Sequence, residues 1–377
     1  MKHTLIFAAL FATTCAYAQT GKPIFIGEVA PLTGPAATVG TRLNKASKMW
    51  ADEINAKGGI NGRKVELVTC NDEGRPDKAA ACLRDFQEKG AVMIFGNSLT
   101  ASLRAMQPLV KNGPLLLIPS PNVVPPADSY AFQVSPSDFH LTEAIAKYMK
   151  ADGVDKIGMV AATDASGEVG VESAKKVFND QKMELRLARI DLRATDASTQ
   201  LASVAGQDIK LVYSSYTGAG AVTVVKSFKI LGLPQPLMVS YGNMSEAFVS
   251  LIKDVAPPRL LGTSVAALVP DEMPKGAERE RARAFFDAYA KRYNEKPDMI
   301  NLLGKAETDV AEAVLRKAPN PADYPAVKKF LESTPIESFH TQKFSATNHV
   351  GLDASSVMIV ELNKDGNWIK ARPISCK

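Results

Sequence analysis

Cysteine and histidine are scarce in this sequence, four of each in 377 residues. No C-x-x-C or H-x-x-x-H spacing occurs, so the common metal frameworks have no foothold and no metal is expected. Beyond the first 20 residues no apolar run approaches the roughly 20 residues that span a bilayer. Lys and Arg form no block, which argues against a nucleic-acid partner; the formal charge of +5 reads as a solvated surface. The common enzyme signatures are missing as well: no G-x-S-x-G, no H-E-x-x-H, no P-loop. Gly218-Ala219-Gly220 begins like a dinucleotide fingerprint but lacks its third glycine. Carboxylates are scattered rather than paired. His140 reads as a surface or satisfied histidine.

What is present begins with a leader. Lys2 and His3 precede an apolar core, Leu5–Ala12, and Ala16-Tyr17-Ala18 is an A-x-A cleavage site. Residues 1–18 are therefore expected to be a signal peptide, cleaved after Ala18, and the mature chain to be exported. Cys15 follows Ala12-Thr13-Thr14, a poor lipobox, so a soluble product is expected. Cys70, Cys82 and Cys376 remain in an oxidising compartment. Cys70 ends a strand and Cys82 lies in the next helix, so the two form either a bridge or two buried thiols. Cys376 would stay free.

The remaining residues suit two domains of ordinary size. From Pro23 to Cys70 the chain reads as one βαβ unit. Ile24–Ala30 is a short apolar strand, and Pro31–Gly40 a loop rich in Gly, Pro and Thr. Leu43, Ala46, Met49, Trp50 and Ile54 then repeat at helical spacing. Gly58-Gly59 stops the helix, and Lys64–Cys70 is a second strand. Strands and helices alternate onward, with strands at Ala91–Phe95, Leu115–Ile118 and Tyr130–Val134, a helix at Thr100–Lys111, and Ser137 as N-cap of a new helix. A second series of similar size follows from Lys156 to Lys253. Val357–Leu362 and Trp368–Ala371 form a hairpin about Lys364-Asp365-Gly366. In such open α/β sheets, ligands sit at the carboxyl ends of the strands.

Pro31-Leu32-Thr33-Gly34-Pro35, Gly40 and Ile54-Asn55-Ala56-Lys57-Gly58-Gly59-Ile60-Asn61-Gly62 closely resemble the leucine/isoleucine/valine-binding protein family, the type I solute-binding proteins of ABC importers. The similarity runs over essentially the whole mature chain and weakens after about Gly262. It implies two doubly wound α/β lobes with parallel central sheets joined by three hinge crossovers, near Val134–Ser137, Gly262–Ala266 and Phe344–Leu352. The N-terminal lobe would hold 19–135 and 265–345, the C-terminal lobe 136–264 and 346–377. A disulfide in the same region of the family favours the Cys70–Cys82 bridge. The resemblance implies no cofactor, a small carboxylate ligand, an inner-membrane ABC permease as partner, a periplasmic location and a monomer.

The same resemblance points to a ligand site. Asn97, Ser98 and Thr100 follow one strand, and Ser120, Pro121 and Asn122 follow another. Hydroxyls and free helix N–H groups there suit a carboxylate, and in the family these two loops hold one. In the second lobe the positions fall at Ser166, at Tyr216 or Thr217, and at Tyr241. The family's closing aromatic is absent at Ser166, and its first-lobe aromatic falls at Val39. Tyr241 stands where the family places its ammonium-binding Glu. An ammonium without a counter-charge is costly to desolvate, so an aromatic or short organic acid fits better than an α-amino acid. Asp164 could supply the missing charge and restore the amino-acid reading. The expectation is a binding protein, not an enzyme. A ligand-sensing module of a receptor and an exported α/β enzyme are the alternatives.

Overall fold

In the computed structural model, residues 21–318 and 320–376 are described; the signal peptide expected over 1–18 lies outside them. Elements alternate along the chain: β1 (Ile24–Ala30), α1 (Ala37–Ala56), β2 (Val65–Asn71), α2 (Pro76–Glu88), β3 (Met93–Phe95), α3 (Thr100–Met106), β4 (Leu115–Ile118) and β5 (Ala131–Pro136). The second run is α4 (Asp138–Lys150), β6 (Lys156–Ala162), α5 (Ala165–Asp180), β7 (Glu184–Ile190), α6 (Ser198–Val204), β8 (Val212–Ser215), α7 (Ala219–Ile230), β9 (Leu237–Val239), α8 (Glu246–Ile252) and β10 (Leu260–Val265). Three helices follow, α9 (Ala277–Tyr293), α10 (Met299–Lys317) and α11 (Tyr324–Ser333), then β11 (Val350–Leu352), β12 (Val357–Leu362) and β13 (Trp368–Lys370).

The strands form two sheets. One has the order β11-β5-β4-β3-β1-β2, the other β13-β12-β10-β9-β8-β6-β7. Every pairing from β1 to β10 is parallel, and β12 and β13 add antiparallel edges. This is the type I periplasmic-binding-protein architecture. Each sheet is covered on both faces, which is why its strands are continuous apolar runs. The chain passes from one sheet to the other three times: between β5 and β6, between β10 and β11, and between β11 and β12.

Two boundaries differ from the sequence expectation. The resemblance places residues 346–352 in the C-terminal lobe, yet β11 pairs with β5 in the first sheet, and Gln133 N–H donates to the His349 carbonyl at 2.8 Å. A three-residue strand, Val350–Leu352, is too short to carry a periodic signal. The helix expected from Thr100 to Lys111 ends at Met106 and continues as a 3₁₀ turn, Gln107–Val110. Pro108 has no N–H with which to continue an α-helix.

The stop at Gly58-Gly59 is as read. Gly59 has φ +82°, and its N–H donates to the Ile54 carbonyl at 2.9 Å, the left-handed ending glycine permits. Cys70 and Cys82 are disulfide-bonded, pinning β2 to α2, and Cys376 is free and exposed. Among the described residues no helix is long and apolar enough to cross a membrane.

Helix α10 lies between the sheets' binding edges. It packs along α1, where Arg42 pairs with Asp298 at 2.9 Å and Trp50 donates to Glu312 at 3.0 Å. Its first N–H, at Met299, donates to the Met244 carbonyl beyond β9 at 3.2 Å.

Candidate functional site

The carboxyl ends of the two sheets face each other. Helix α3 of the first approaches α5 of the second, and Asp138 N–H at the start of α4 donates to the Pro121 carbonyl at 2.9 Å. The loops after β3 and β6 therefore meet, the loop after β4 meets the start of α4, and the loops after β8 and β9 are tied to one another through Asn243 and to the start of α10 through Met244.

On the first side, Asn97 does not offer its side chain to the cleft. It is fully buried; its amide donates to Asp72 at 2.5 Å and its carbonyl accepts from Leu99 N–H at 3.0 Å. Asp72 also accepts from Ser102 at 3.1 Å and Gly74 N–H at 3.1 Å. Its burial raises its pKa against those stabilising bonds. Sequence reading missed Asp72, although an acid directly after a strand and ahead of a glycine is a turn signal. Ser98 is half-buried and its hydroxyl has no partner among the described residues. Thr100 opens α3 and is buried. Ser120 is buried, with its carbonyl accepting from Gln133 at 2.9 Å; its hydroxyl accepts weakly from Asn122 N–H at 3.5 Å. Pro121 and Asn122 are half-buried beside it.

On the second side, Asp164 is the N-cap of α5. Its carboxylate accepts from Gly167 N–H at 2.8 Å and from the Ser166 hydroxyl at 2.9 Å. The acid and Ser166 thus satisfy one another and the helix end. Tyr216 is 2% exposed and donates to the Asp191 carbonyl at 2.9 Å. Its ring lies under α7, where a Cβ at Gly220 would stand 1.7 Å from it; only glycine lets that helix begin there. Burial pushes its pKa up, with Asp164 and Asp191 adding to the rise. Thr217 is exposed and touches the Gly242 position.

Tyr241 opens the turn Tyr241–Asn243 and is 2% exposed, yet its hydroxyl has no partner among the described residues. Desolvation raises its pKa strongly, so it stays a neutral donor. Asn243 braces the same turn by donating to the Tyr216 carbonyl at 2.8 Å. Val39 is half-buried in the first turn of α1. Among the described residues no group of His, Cys, Asp and Glu could hold a metal ion.

An open groove of about 830 Å³ lies elsewhere, at the opposite edge of the second sheet beside Asp152, Lys156, Asp208, Arg259 and Cys376. Its charges pair with protein partners: Lys156 with Asp208 at 3.2 Å, Arg259 with Glu361 at 3.1 Å, and Asp152 with the Ser375 hydroxyl at 2.9 Å. Gln235, also in its lining, donates its amide to the Ala205 and Gly206 carbonyls at 3.4 and 3.2 Å, and its Oε1 is buried without a partner among the described residues.

Residues 23–367 match the family model described as periplasmic binding protein. A Leu/Ile/Val-binding protein homolog 3 of Brucella melitensis is 27% identical over 185 residues, 48% of this chain. The chain spans about half the length of that relative. Among solved structures, an ABC-transporter solute-binding protein of R. palustris in complex with benzoate superposes with TM-score 0.74 at 20% identity, over 94% of this chain and 99% of that one. LivJ of Streptococcus pneumoniae in complex with isoleucine superposes with TM-score 0.76 at 19% identity, over 93% of this chain and all of the other. The two sheets, their three crossings, the facing loops and the extent of the family match together make this chain a member of the periplasmic binding protein family, the family of the Leu/Ile/Val-binding proteins.

Proposed function

We propose that this chain is the extracytoplasmic solute-binding component of an ABC importer, capturing a small carboxylate ligand that carries no ammonium. The observation that carries the reading is the unpartnered Tyr241 hydroxyl together with an Asp164 already engaged at its own helix end. A buried neutral hydroxyl without a partner stands where the resemblance places an ammonium-binding acid. Asp164, the acid that could replace that charge, is occupied by its own helix cap. An α-amino acid would bring an ammonium with no free counter-charge, at a cost of several kcal/mol. An aromatic or short organic acid leaves Tyr241 a polar atom to bond and a flat face to cover. The benzoate-bound neighbour of the same fold makes an aromatic acid the first ligand class to test.

The ligand's carboxylate lies against Ser98, Thr100, Ser120, Pro121 and Asn122, and its body against Ser166, Tyr216, Thr217 and Tyr241. It binds both lobes and so shifts the hinge toward closure. The closed monomer is what an inner-membrane permease meets in the periplasm. No cofactor is involved, and the ligand leaves unchanged.

The test is a thermal-shift and calorimetry panel on mature protein refolded from denaturant. Benzoate-type and short organic acids should raise the melting temperature, since a ligand at 100 times its Kd adds about 2.7 kcal/mol. Leucine, isoleucine and valine should not. Stabilisation by amino acids alone would overturn the reading.

A further inference from the structure

Two acids lie in the core of the first lobe with no cation bonded to either among the described residues. Glu28, in the middle of β1, is 1% exposed, and Glu307, on α10, is 0% exposed. Glu28 Oε2 accepts from the Asn44 amide and from the Thr69 hydroxyl at 2.7 Å. Glu307 Oε1 accepts from the Gly96 N–H at 3.1 Å. One oxygen of each acid is then left over: Glu28 Oε1 and Glu307 Oε2 are both buried without a partner. The surroundings supply few charges. Around Glu28, α1 brings Asn44, Ser47 and the exposed Lys48, and β2 brings Thr69; its register partner in β3 is Phe95, followed directly by the Gly96 whose N–H donates to Glu307 of α10. Of the charged groups Glu28 acts on Glu307, and the Gly96 amide is its hydrogen-bond donor among the described residues.

We propose that Glu28 and Glu307 share one proton, Glu307 Oε2–H donating to Glu28 Oε1, and that Glu307 is thereby a positioning residue for the first-lobe binding loop. The arrangement answers both orphaned oxygens with one bond. Burial raises the pKa of each acid, and the charge of Glu28 raises that of Glu307 further. Glu28 keeps the charge because its other oxygen has two donors, which suit an anion. Glu307 keeps the proton and, through Oε1, holds the Gly96 amide directly ahead of Asn97, Ser98 and Thr100. Eight residues earlier on the same helix, about 12 Å along its axis, Met299 holds the Met244 carbonyl next to the Tyr241 turn. One rigid helix thus touches both halves of the cleft. The positioning half of this proposal rests on the cleft reading above; the shared proton does not.

The experiment compares the full mature chain with Glu28→Gln, Glu307→Gln and Glu307→Leu. At pH 7 the infrared band of a neutral carboxylic acid should be present in wild type and in E28Q, and absent in E307Q. The unfolded chain releases the Glu307 proton near pH 4.3, whereas the folded chain keeps it. Wild-type stability should therefore fall as pH rises from 5 to 8, and E307Q should flatten that slope. Amide exchange in the 96–100 segment should quicken at least tenfold in E307L and stay slow in E307Q, whose amide oxygen still accepts from Gly96. Equal pH slopes in wild type and E307Q, or no neutral-acid band in wild type, would overturn the proposal. If E307L does not fold, the band and the slope of E307Q still decide. Should Ser98→Ala and Ser120→Ala leave the binding of every acid unchanged, the cleft reading fails while the proton measurements stand.

Discussion

The two halves of the cleft are built differently. The first-lobe half is fastened from behind: the loop after β3 is held by Asp72 through Asn97 and Ser102, and by Glu307 through Gly96. A disulfide fixes β2 to α2 beside it. The second-lobe half depends on local capping and on aromatic rings, with Asp164 closing on α5, Tyr216 wedged under α7, and Tyr241 buried with a free hydroxyl. The difference teaches which half can vary. A loop held by buried acids tolerates little change, whereas a ring at the end of a strand can be exchanged without disturbing the sheet. Ligand class is accordingly expected to be set by the second half and grip on a carboxylate by the first.

That contrast can be broken most severely by cutting the rear supports. Removing the disulfide with Cys70→Ser and Cys82→Ser frees a loop with a separation of 12 residues and should cost about 3 kcal/mol. Denaturant melts should show the loss, and trypsin should open the first lobe before the second. If both lobes loosen equally, the first lobe is not the stapled one. Tyr216→Phe should cost about 1 kcal/mol through the lost bond to the Asp191 carbonyl; Tyr216→Ala should cost about 3 kcal/mol or more through the cavity. The pair separates hydroxyl from ring in a denaturant titration.

Specificity sharpens the comparison further. Tyr241→Glu should weaken organic acids by about tenfold or more and admit α-amino acids, because it restores a counter-charge. Calorimetry with benzoate and leucine reads both arms, and unchanged affinity for both would remove Tyr241 from the site. The smallest effect expected is at the hinge. His140 and His340 sit near Asp353, at the crossing from β11 to β12, and burial lowers the pKa of both. A folded pKa below the unfolded value near 6.5 means the unfolded chain binds more protons in acid. With the buried acid removed in E307Q, stability should fall as pH drops from 7 toward 5, and adding His340→Gln should soften that fall. An E307Q melting temperature that rises as pH drops over this range would count against it.

Much of the fold was legible in the residues. β1 begins and ends where its apolar run does, Ser137 caps α4, and the hairpin turns at its Asp-Gly. These features are local: they depend on periodicity, on glycine's free φ and on side chains bonding the nearest backbone. The site was legible only as loops. Asn97 is polar and directly follows a strand, so sequence assigns it to the ligand; its neighbour across the loop, Asp72, claims the amide instead. Glu28 was visible as the one acid in an apolar strand, but its partner lies 279 positions further on.

The chain by itself therefore determined its elements, its division into two α/β series, the family it resembles and the strand ends at which a ligand would sit. Which polar side chains face the cleft, which lobe β11 joins, and how two buried acids come together were decided only in three dimensions. Each depends on contacts between segments far apart in sequence, whose pairing is set by packing of whole sheets and helices rather than by any local preference.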